Sequence, residues 1–204
     1  MRVLDVSLSL AGLIILSPVF VAVALAVKGS SRGPVLYRAQ RVGRYGRLFT
    51  LYKFRSMYVD HRGDGPRITG REDTRVTAVG RFLRRTKLDE LPQLFNTLIG
   101  EMSLVGPRPE DPVFVSCYSE AEREVLRVKP GITSLATLLH RHEEELLTGA
   151  NFEERYRREI MPAKLRIELQ YLSNRTLATD LRILAATAVA LFRKPPYIVS
   201  CKGL

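Results

Sequence analysis

A chain of 204 residues with a net charge of +11 and 46% hydrophobic residues has room for one domain and a membrane attachment. The charge selects an anionic partner, whether nucleic acid, lipid headgroup or phosphorylated substrate. With no tryptophan, no aromatic-rich basic motif and no metal-ligand spacing at Cys117 and Cys201, the composition points away from single-strand stacking, a disulfide framework and a zinc site.

Residues 6–27 form a run of 22 without a charged side chain, long enough to cross ~30 Å of hydrocarbon as a helix. Three readings compete. A signal peptide is disfavoured because the run exceeds ~7–15 residues and Asp5 sits where positive charge belongs. A spanning helix would put the C-terminal side in the cytoplasm, given Lys28, Arg32, Arg38 and Arg41. A re-entrant helix would break at Ser17-Pro18, where Pro18 lacks an N–H and clashes with the carbonyl of Ile14. Ser17 could satisfy a freed carbonyl there. Proline also occurs in plain spanning helices, so on physics alone spanning stays ahead of re-entry.

Val6 to Val59 holds no Asp or Glu but contains Lys28, Arg32, Arg38, Arg41, Arg44, Arg47, Lys53 and Arg55. Part of that cluster suits an anionic leaflet. Val35–Val42 and Leu48–Met57 read as strands of a hairpin around Gly43-Arg44-Tyr45-Gly46. The two-residue period puts Lys53 and Arg55 on one face, either solvated or kept for a phosphate. Residues 59–75, with Asp60, His61, Gly63, Asp64, Gly65, Pro66 and Gly70, read as an exposed loop. Val79–Thr86 reads as a short helix carrying Arg81, Arg84 and Arg85 towards Lys87-Leu88-Asp89-Glu90-Leu91-Pro92-Gln93. The Asp89-Glu90 pair can cap the helix that Pro92 begins, or it can carry chemistry. Leu91–Ile99 is that helix, ending near Gly100.

Arg108 lies between Pro107 and Pro109, a restricted backbone that suits either an anion clamp or a stiff, solvated loop. Ser119-Glu120-Ala121-Glu122 has the form of a capping box opening a charged helix to about Val128. Ile132–Leu139 is an apolar run of undecided type. His140 and His142 fall on opposite sides of a helix and read as surface residues, and Glu143-Glu144-Glu145 as a solvated face. Asn151 can cap a helix over Phe152–Ile160, and Pro162 begins or kinks the next, to about Tyr171. Leu177, Leu181, Leu184, Ala188 and Leu191 recur at helical spacing, which suits core packing or, beside Arg193-Lys194, a membrane surface.

Several ordered stretches resemble the bacterial sugar transferase family, the monotopic phosphoglycosyl transferases, in their small minimal form. They are Arg2 and Asp5, Ser17-Pro18, Gly33-Pro34-Val35, Gln40-Arg41-Val42-Gly43, Tyr52–Met57, Asp73–Thr77, Val79–Arg84, Leu88–Leu94, Gly100–Pro109 and Lys129–Thr133. The likeness covers most of residues 1–192. It implies an α+β, mostly helical fold with a re-entrant membrane helix over 1–30 broken at Ser17-Pro18. A small β-hairpin and a cytoplasmic-face catalytic domain with amphipathic interfacial helices would occupy 31–194, and a tail 195–204.

The implied reaction moves a sugar phosphate from a UDP-sugar to polyprenyl (undecaprenyl) phosphate, releasing UMP, by ping-pong chemistry. By that resemblance Asp89 is the nucleophile, forming a covalent aspartyl-phosphosugar, and Glu90 orients it or manages a proton. Mg²⁺ would be held beside Asp89. Lys53, Arg55, Arg75, Arg84 and Arg108 would meet the nucleotide and phosphates. The location implied is the cytoplasmic face of the bacterial plasma membrane, among its lipids. No nucleic-acid partner is expected, and a homodimer is among the allowed assemblies. The competing reading keeps the fold as a catalytically inactive membrane scaffold or regulator. Two departures from the family pattern bear on sugar or nucleotide preference. Ser134-Leu135-Ala136-Thr137 stands where the family usually has Gly-Leu-Ala-Gln, and Glu168 stands ahead of Tyr171 where an Asp is usual.

Overall fold

The computed structural model describes residues 2–59, 68–70, 73–140, 147 and 151–192. The readings of Asp60, His61, Gly63, Asp64, Gly65, Pro66, His142, Glu143–Glu145, Arg193-Lys194 and the tail 195–204 lie outside the described residues. The fold is mostly helical with two small sheets, as the α+β expectation requires.

The apolar run makes two helices, α1 (Arg2–Ile15) and α2 (Ser17–Ser30), bent by 62°. Leu16 still donates to the Gly12 carbonyl at 2.9 Å, and Phe20 resumes the ladder on Leu16 at 2.9 Å. Pro18 stands in the first turn of α2, where a missing N–H costs nothing. Each helix is ~21 Å long at 1.5 Å per residue, and among the described residues no single helix is long and apolar enough to cross a membrane. Leu8, Leu10, Ile14, Ile15, Val21 and Leu25 are exposed, an apolar surface that the protein itself leaves uncovered.

Both far ends of this bent pair are tied to the rest of the chain. Buried Asp5 accepts from Ser103 Oγ at 2.9 Å and from the Leu104 N–H at 3.0 Å. Arg2 donates to the carbonyls of Thr97 and Leu98, each at 2.6 Å, and so caps a helix C-terminus. At the other end, Arg55 donates to the Val27 carbonyl at 3.3 Å and the Ser31 carbonyl at 2.7 Å. Val23 and Val27 pack with Phe54 and Leu83.

Strands β1 (Leu36–Val42) and β2 (Leu48–Phe54) pair antiparallel, from Leu36 with Phe54 to Val42 with Leu48. Tyr45 takes a left-handed φ of 59° at the turn, close to the hairpin read from the sequence. Thr77 caps α3 (Ala78–Thr86), accepting from the Gly80 N–H at 2.8 Å. A 3₁₀ turn (Leu88–Glu90) follows, then α4 (Gln93–Ile99), ended by Gly100 at φ 96°.

A second sheet was not expected from the sequence. Strands β3 (Ser103–Val105) and β4 (Gly131–Thr133) pair in parallel. A Cβ on Gly131 would lie 2.1 Å from the Gly106 nitrogen, so only glycine lets these backbones approach. The run 132–139 therefore divides into β4 and α6 (Leu135–Leu139), with Ser134 as N-cap between them.

Asp111 caps the short α5 (Pro112–Val115). The Ser119–Glu122 capping box forms, with Ser119 N–H reaching Glu122 Oε2 at 2.8 Å, but it opens a 3₁₀ segment over Glu122–Arg127 instead of an α-helix. Helices α7 (Phe152–Arg155) and α8 (Met161–Ser173) are joined by a π-turn over Tyr156–Ile160, placed just ahead of Pro162. The wider turn accommodates a residue that cannot donate to the ladder. Asn151 makes no side-chain cap bond, contrary to the sequence reading. Helix α9 (Leu177–Phe192) closes the fold, its Asp180 buried and bonded by Arg175 and the Tyr171 hydroxyl. The main core gathers Phe114, Val115, Tyr118, Val125, Tyr156, Ile160, Met161 and Leu165.

Glu168 of α8 is buried against the start of α6, bonded to Ser134 and to the Ala136 N–H. Burial raises its carboxyl to about 7, against which the Ser134 bond and Lys164 act. The two departures from the family pattern, Ser134 and Glu168, thus touch each other.

Two expectations follow. The folded protein holds the Glu168 proton up to about pH 7 whereas the unfolded chain releases it near 4.5, so stability falls as pH rises through that window. Glu168→Gln should flatten the slope, gaining up to roughly 3 kcal/mol at pH 8 relative to its effect at pH 4, read from denaturant midpoints. Asp5→Ala should cost about 2–3 kcal/mol by leaving the Ser103 hydroxyl and Leu104 N–H without an acceptor, whereas Asp5→Asn, which keeps an oxygen, should cost less.

Candidate active site

A cleft of about 300 Å³ opens where β2, α3, α4, α6, α8 and α9 meet the proline-flanked arginine. Its charged wall carries Lys53, Arg84, Lys87, Asp89, Glu90 and Arg108. Its facing wall carries Ile132, Thr133, Thr137, Leu138, His140, Thr187 and Ala190. Lys164 lines it too.

The dyad sits on the 3₁₀ turn, and local sequence explains why. Lys87 ends α3 in a left-handed conformation, φ 59°, which reverses the chain before Leu88. A non-glycine residue there costs roughly 1–2 kcal/mol, a strain held beside the most chemically equipped residues of the chain. Pro92 then begins the turn into α4. Neither Asp89 nor Glu90 makes a side-chain cap bond to that helix, so the capping reading of the pair is not what the structure displays.

The two carboxylates differ sharply. Glu90 Oε1 accepts from Lys53 Nζ at 2.8 Å, and its two oxygens take the fork of Arg108, with Nη1 at 3.3 Å from Oε2. Burial acts to raise its carboxyl, but the charges of Arg108 and Lys53 outweigh that and hold it well below the ordinary range. Asp89 is 7% exposed, and its Oδ1 has no hydrogen-bond partner. Burial raises its carboxyl; Lys53 opposes the rise and the neighbouring Glu90 charge adds to it. Burial also lowers the Lys53 ammonium, which Glu90 counteracts. Adjacent acids pushed in opposite directions are a signature of divided roles. A paired Glu90 sets the positions of two cations, and a partnerless Asp89 oxygen is left to meet a ligand.

Of the cations expected from the sequence, Lys53, Arg84 and Arg108 come together in the cleft. Arg55 does not. The chain leaves the strand after Phe54, the two-residue alternation lapses, and the buried Arg55 guanidinium is taken by carbonyls at the C-terminal, negative end of α2. Arg75 is folded onto Asp73, with Nη2 at 2.6 Å from Oδ2, and is not among the cleft-lining residues. Ser17 and Pro18 lie at the bend of the apolar pair, as expected.

The sequence reading missed Lys87, Lys164 and Thr187, named Thr137 only within a departure from the family pattern, and placed His140 on the surface. His140 is half-buried and lines the cleft, because α6 is only five residues long and ends against it. Lys164 is buried, its Nζ 3.4 Å from the Tyr156 hydroxyl and 3.9 Å from Glu110 Oε1. The signal that could have found it was a lysine on the apolar stripe of an otherwise packing helix.

Among the described residues no cluster of three His, Cys, Asp or Glu could hold a metal by itself. Mg²⁺ does not require one, since it is commonly held through one or two carboxylates together with substrate phosphates. The buried, partnerless Asp89 Oδ1 fits that donor pattern, whereas both Glu90 oxygens are occupied.

The sequence profile of the bacterial sugar transferase family matches residues 1–194. An undecaprenyl-phosphate glucose phosphotransferase of Komagataeibacter xylinus is 41% identical over 193 residues, covering 91% of this chain and 34% of that protein. An undecaprenyl-phosphate galactose phosphotransferase of Salmonella typhimurium is 36% identical over 208 residues, covering 95% of this chain and 40% of that protein. A putative undecaprenyl-phosphate N-acetylgalactosaminyl 1-phosphate transferase of Bacillus subtilis is 47% identical over 117 residues, 57% of this chain and 65% of that protein. The chain thus spans between 34% and 65% of the length of these relatives. With the profile extending over nearly all of its length, the chain belongs to the bacterial sugar transferase family.

Proposed function

We propose that this protein is a phosphoglycosyl transferase that moves a sugar phosphate from a UDP-sugar to polyprenyl phosphate at the cytoplasmic face of the plasma membrane. The observation that carries the reading is the partnerless Asp89 oxygen in a cleft walled by Lys53, Arg84, Lys87 and Arg108. Family membership supports it, as do the names of the three relatives described above, each of which specifies undecaprenyl phosphate. Those names cover three sugars at comparable identity, so likeness alone does not select the sugar.

The chemistry divides into two displacements. Asp89 attacks the sugar-bearing phosphorus, the bond to the bridging oxygen breaks, and UMP leaves with that oxygen. An oxygen of the lipid phosphate then attacks the aspartyl phosphosugar, releasing the Asp89 carboxylate and a polyprenyl diphosphate sugar. A carboxylate facing a diphosphate would be repelled without a positive field, and the cations of the charged wall supply one. Glu90 keeps Lys53 and Arg108 in place through its ion pairs. Asp89, together with the substrate phosphates, would hold Mg²⁺, which would supply charge neutralisation for the leaving UMP.

Re-entry of residues 2–30 is part of the proposal. Asp5 and Arg2 fix one end of the bent pair to β3 and α4, and Arg55 fixes the other end at β2. Two ends held on one compact body, with exposed leucines and isoleucines between them, suit a hairpin that enters and leaves by the same membrane face.

With undecaprenyl phosphate omitted, a UDP-sugar and Mg²⁺ should give a burst of about one UMP per enzyme, with a matching mass adduct on the protein. Asp89→Asn should abolish both burst and turnover, by ~10³-fold or more; full turnover by that variant would sink the assignment. For topology, Val3→Cys and Arg32→Cys, each in a background with Cys117 and Cys201 replaced by serine, should both be labelled from the cytoplasmic side. Labelling from opposite sides would exclude re-entry.

A further inference from the structure

The cleft has two chemically different walls, and only the charged one is used by the reaction as derived above. The other begins at the arginine clamp. The Gly106 N–H donates to the Thr133 carbonyl at 3.0 Å, two residues before Arg108. This fixes the end of β4 beside the cation that meets Glu90, and hence beside the phosphorus that Asp89 would attack. From there the wall runs through α6 to α9, which contribute hydroxyls, an imidazole and aliphatic carbons, with Lys164 of α8, the helix packed on α6, as the nearby cation.

Its polar groups are preset. Thr187 Oγ1 donates to the Ile183 carbonyl at 2.8 Å, so in the 2.7 Å contact between Thr133 and Thr187 the Thr133 hydroxyl is the donor. That leaves Thr133 Oγ1 able to accept. Thr137 Oγ1 is bonded to Ser134 Oγ at 2.9 Å, which fixes its side chain while leaving unused hydrogen-bonding capacity. His140 Nδ1 lies 3.2 Å from the Ala136 carbonyl, and a carbonyl only accepts, so Nδ1 carries the proton. In the neutral ring, Nε2 is then an acceptor. Side chains held by their own neighbours form hydrogen bonds to a ligand at little entropic cost.

Neutral hydrogen-bonding groups at separate points, interleaved with Leu138 and Ala190, match a polyhydroxylated ring better than a planar base. A base is commonly held by stacking on an aromatic face; the one ring on this wall among the described residues is the His140 imidazole, whose Nδ1 is tied to the Ala136 carbonyl, and the rest is hydroxyl and aliphatic. We propose that Thr137 and His140 are specificity-determining residues that read the hydroxyls of the donor sugar, with Thr133 and Thr187 beside them. This rests on the transferase reading above and deepens it. It assigns sugar choice to the short α6 helix and leaves the diphosphate to the charged wall.

The test uses the full chain in lipid nanodiscs with undecaprenyl phosphate and Mg²⁺. UMP release is followed for UDP-glucose and UDP-galactose, epimers at one hydroxyl, and for their N-acetyl counterparts, with UDP as a competitive inhibitor lacking the sugar. Thr137→Val and His140→Leu should each change a ratio of kcat/KM between two donors by about tenfold, the worth of one hydrogen bond. Inhibition by UDP should move by less than about twofold. Thr137→Ser, which restores the hydroxyl, should return the wild-type ratio, and thermal midpoints identify any variant that fails to fold. Unchanged ratios in both His140→Leu and Thr137→Val would overturn the inference. So would a loss of UDP inhibition as large as the loss of donor use, since the wall would then serve the nucleotide. If the wild-type chain released UMP from none of the donors, the transferase reading itself would fall and this assignment with it.

Discussion

Glu90 is the fixed point of the site. Its carboxylate is half-buried, stays ionised, and is grasped from two directions by Lys53 of the hairpin and Arg108 of the proline-flanked loop. A buried charge left without partners would cost several kcal/mol, so the triple holds three elements in register as much as it holds charge. The hairpin, the turn after α3 and the 107–109 loop come from separate parts of the chain, and they meet at this one group. Asp89 is next to it in sequence and opposite to it in condition. The contrast follows from position, because the turn hands one side chain to the cations and leaves its neighbour's Oδ1 without a bond.

The same division recurs at larger scale. Lys53, Arg84, Lys87 and Arg108 gather about the dyad, whereas β4, α6 and α9 line the cleft with neutral polar groups, and Lys164 is the cation that α8 adds. Exposed apolar side chains run along the bent helix pair, whose ends are fastened by buried or half-buried polar contacts, and recur at Phe82, Phe95, Ile99, Leu177, Leu181 and Val189. Fastening by side chain to backbone carbonyl, as Arg2 and Arg55 do, uses groups that helix ends leave unsatisfied in any case. Two arginines that a charge count would assign to phosphate or lipid therefore serve as helix caps.

Much of the fold was legible because its signals are local. The bend at Ser17-Pro18, the hairpin around Gly43–Gly46, α3 with its arginines and α4 ending at Gly100 all follow from proline, glycine or periodicity within a few residues. Asp89, Glu90, Lys53, Arg84 and Arg108 were legible as a set, and the structure brings them to one cleft. The parallel pair of β3 and β4 was not, since three-residue strands far apart in sequence leave no period to detect. Arg55 was misjudged because alternation was carried one residue past the end of a strand. His140, Lys164 and Thr187 escaped because each gains its meaning only when α6, α8 and α9 fold back over the dyad.

The fastening of Asp5 to Ser103 and Leu104 spans 98 and 99 residues. At ~5–20 residues per second on the ribosome, the partner strand emerges some 5–20 s after the apolar run. During that interval the hairpin has no body to hold its first end, and its exposed leucines are a liability in water. An element made early is thus held by one made late, and the first end of α1 is fixed only once Ser103 and Leu104 are in place.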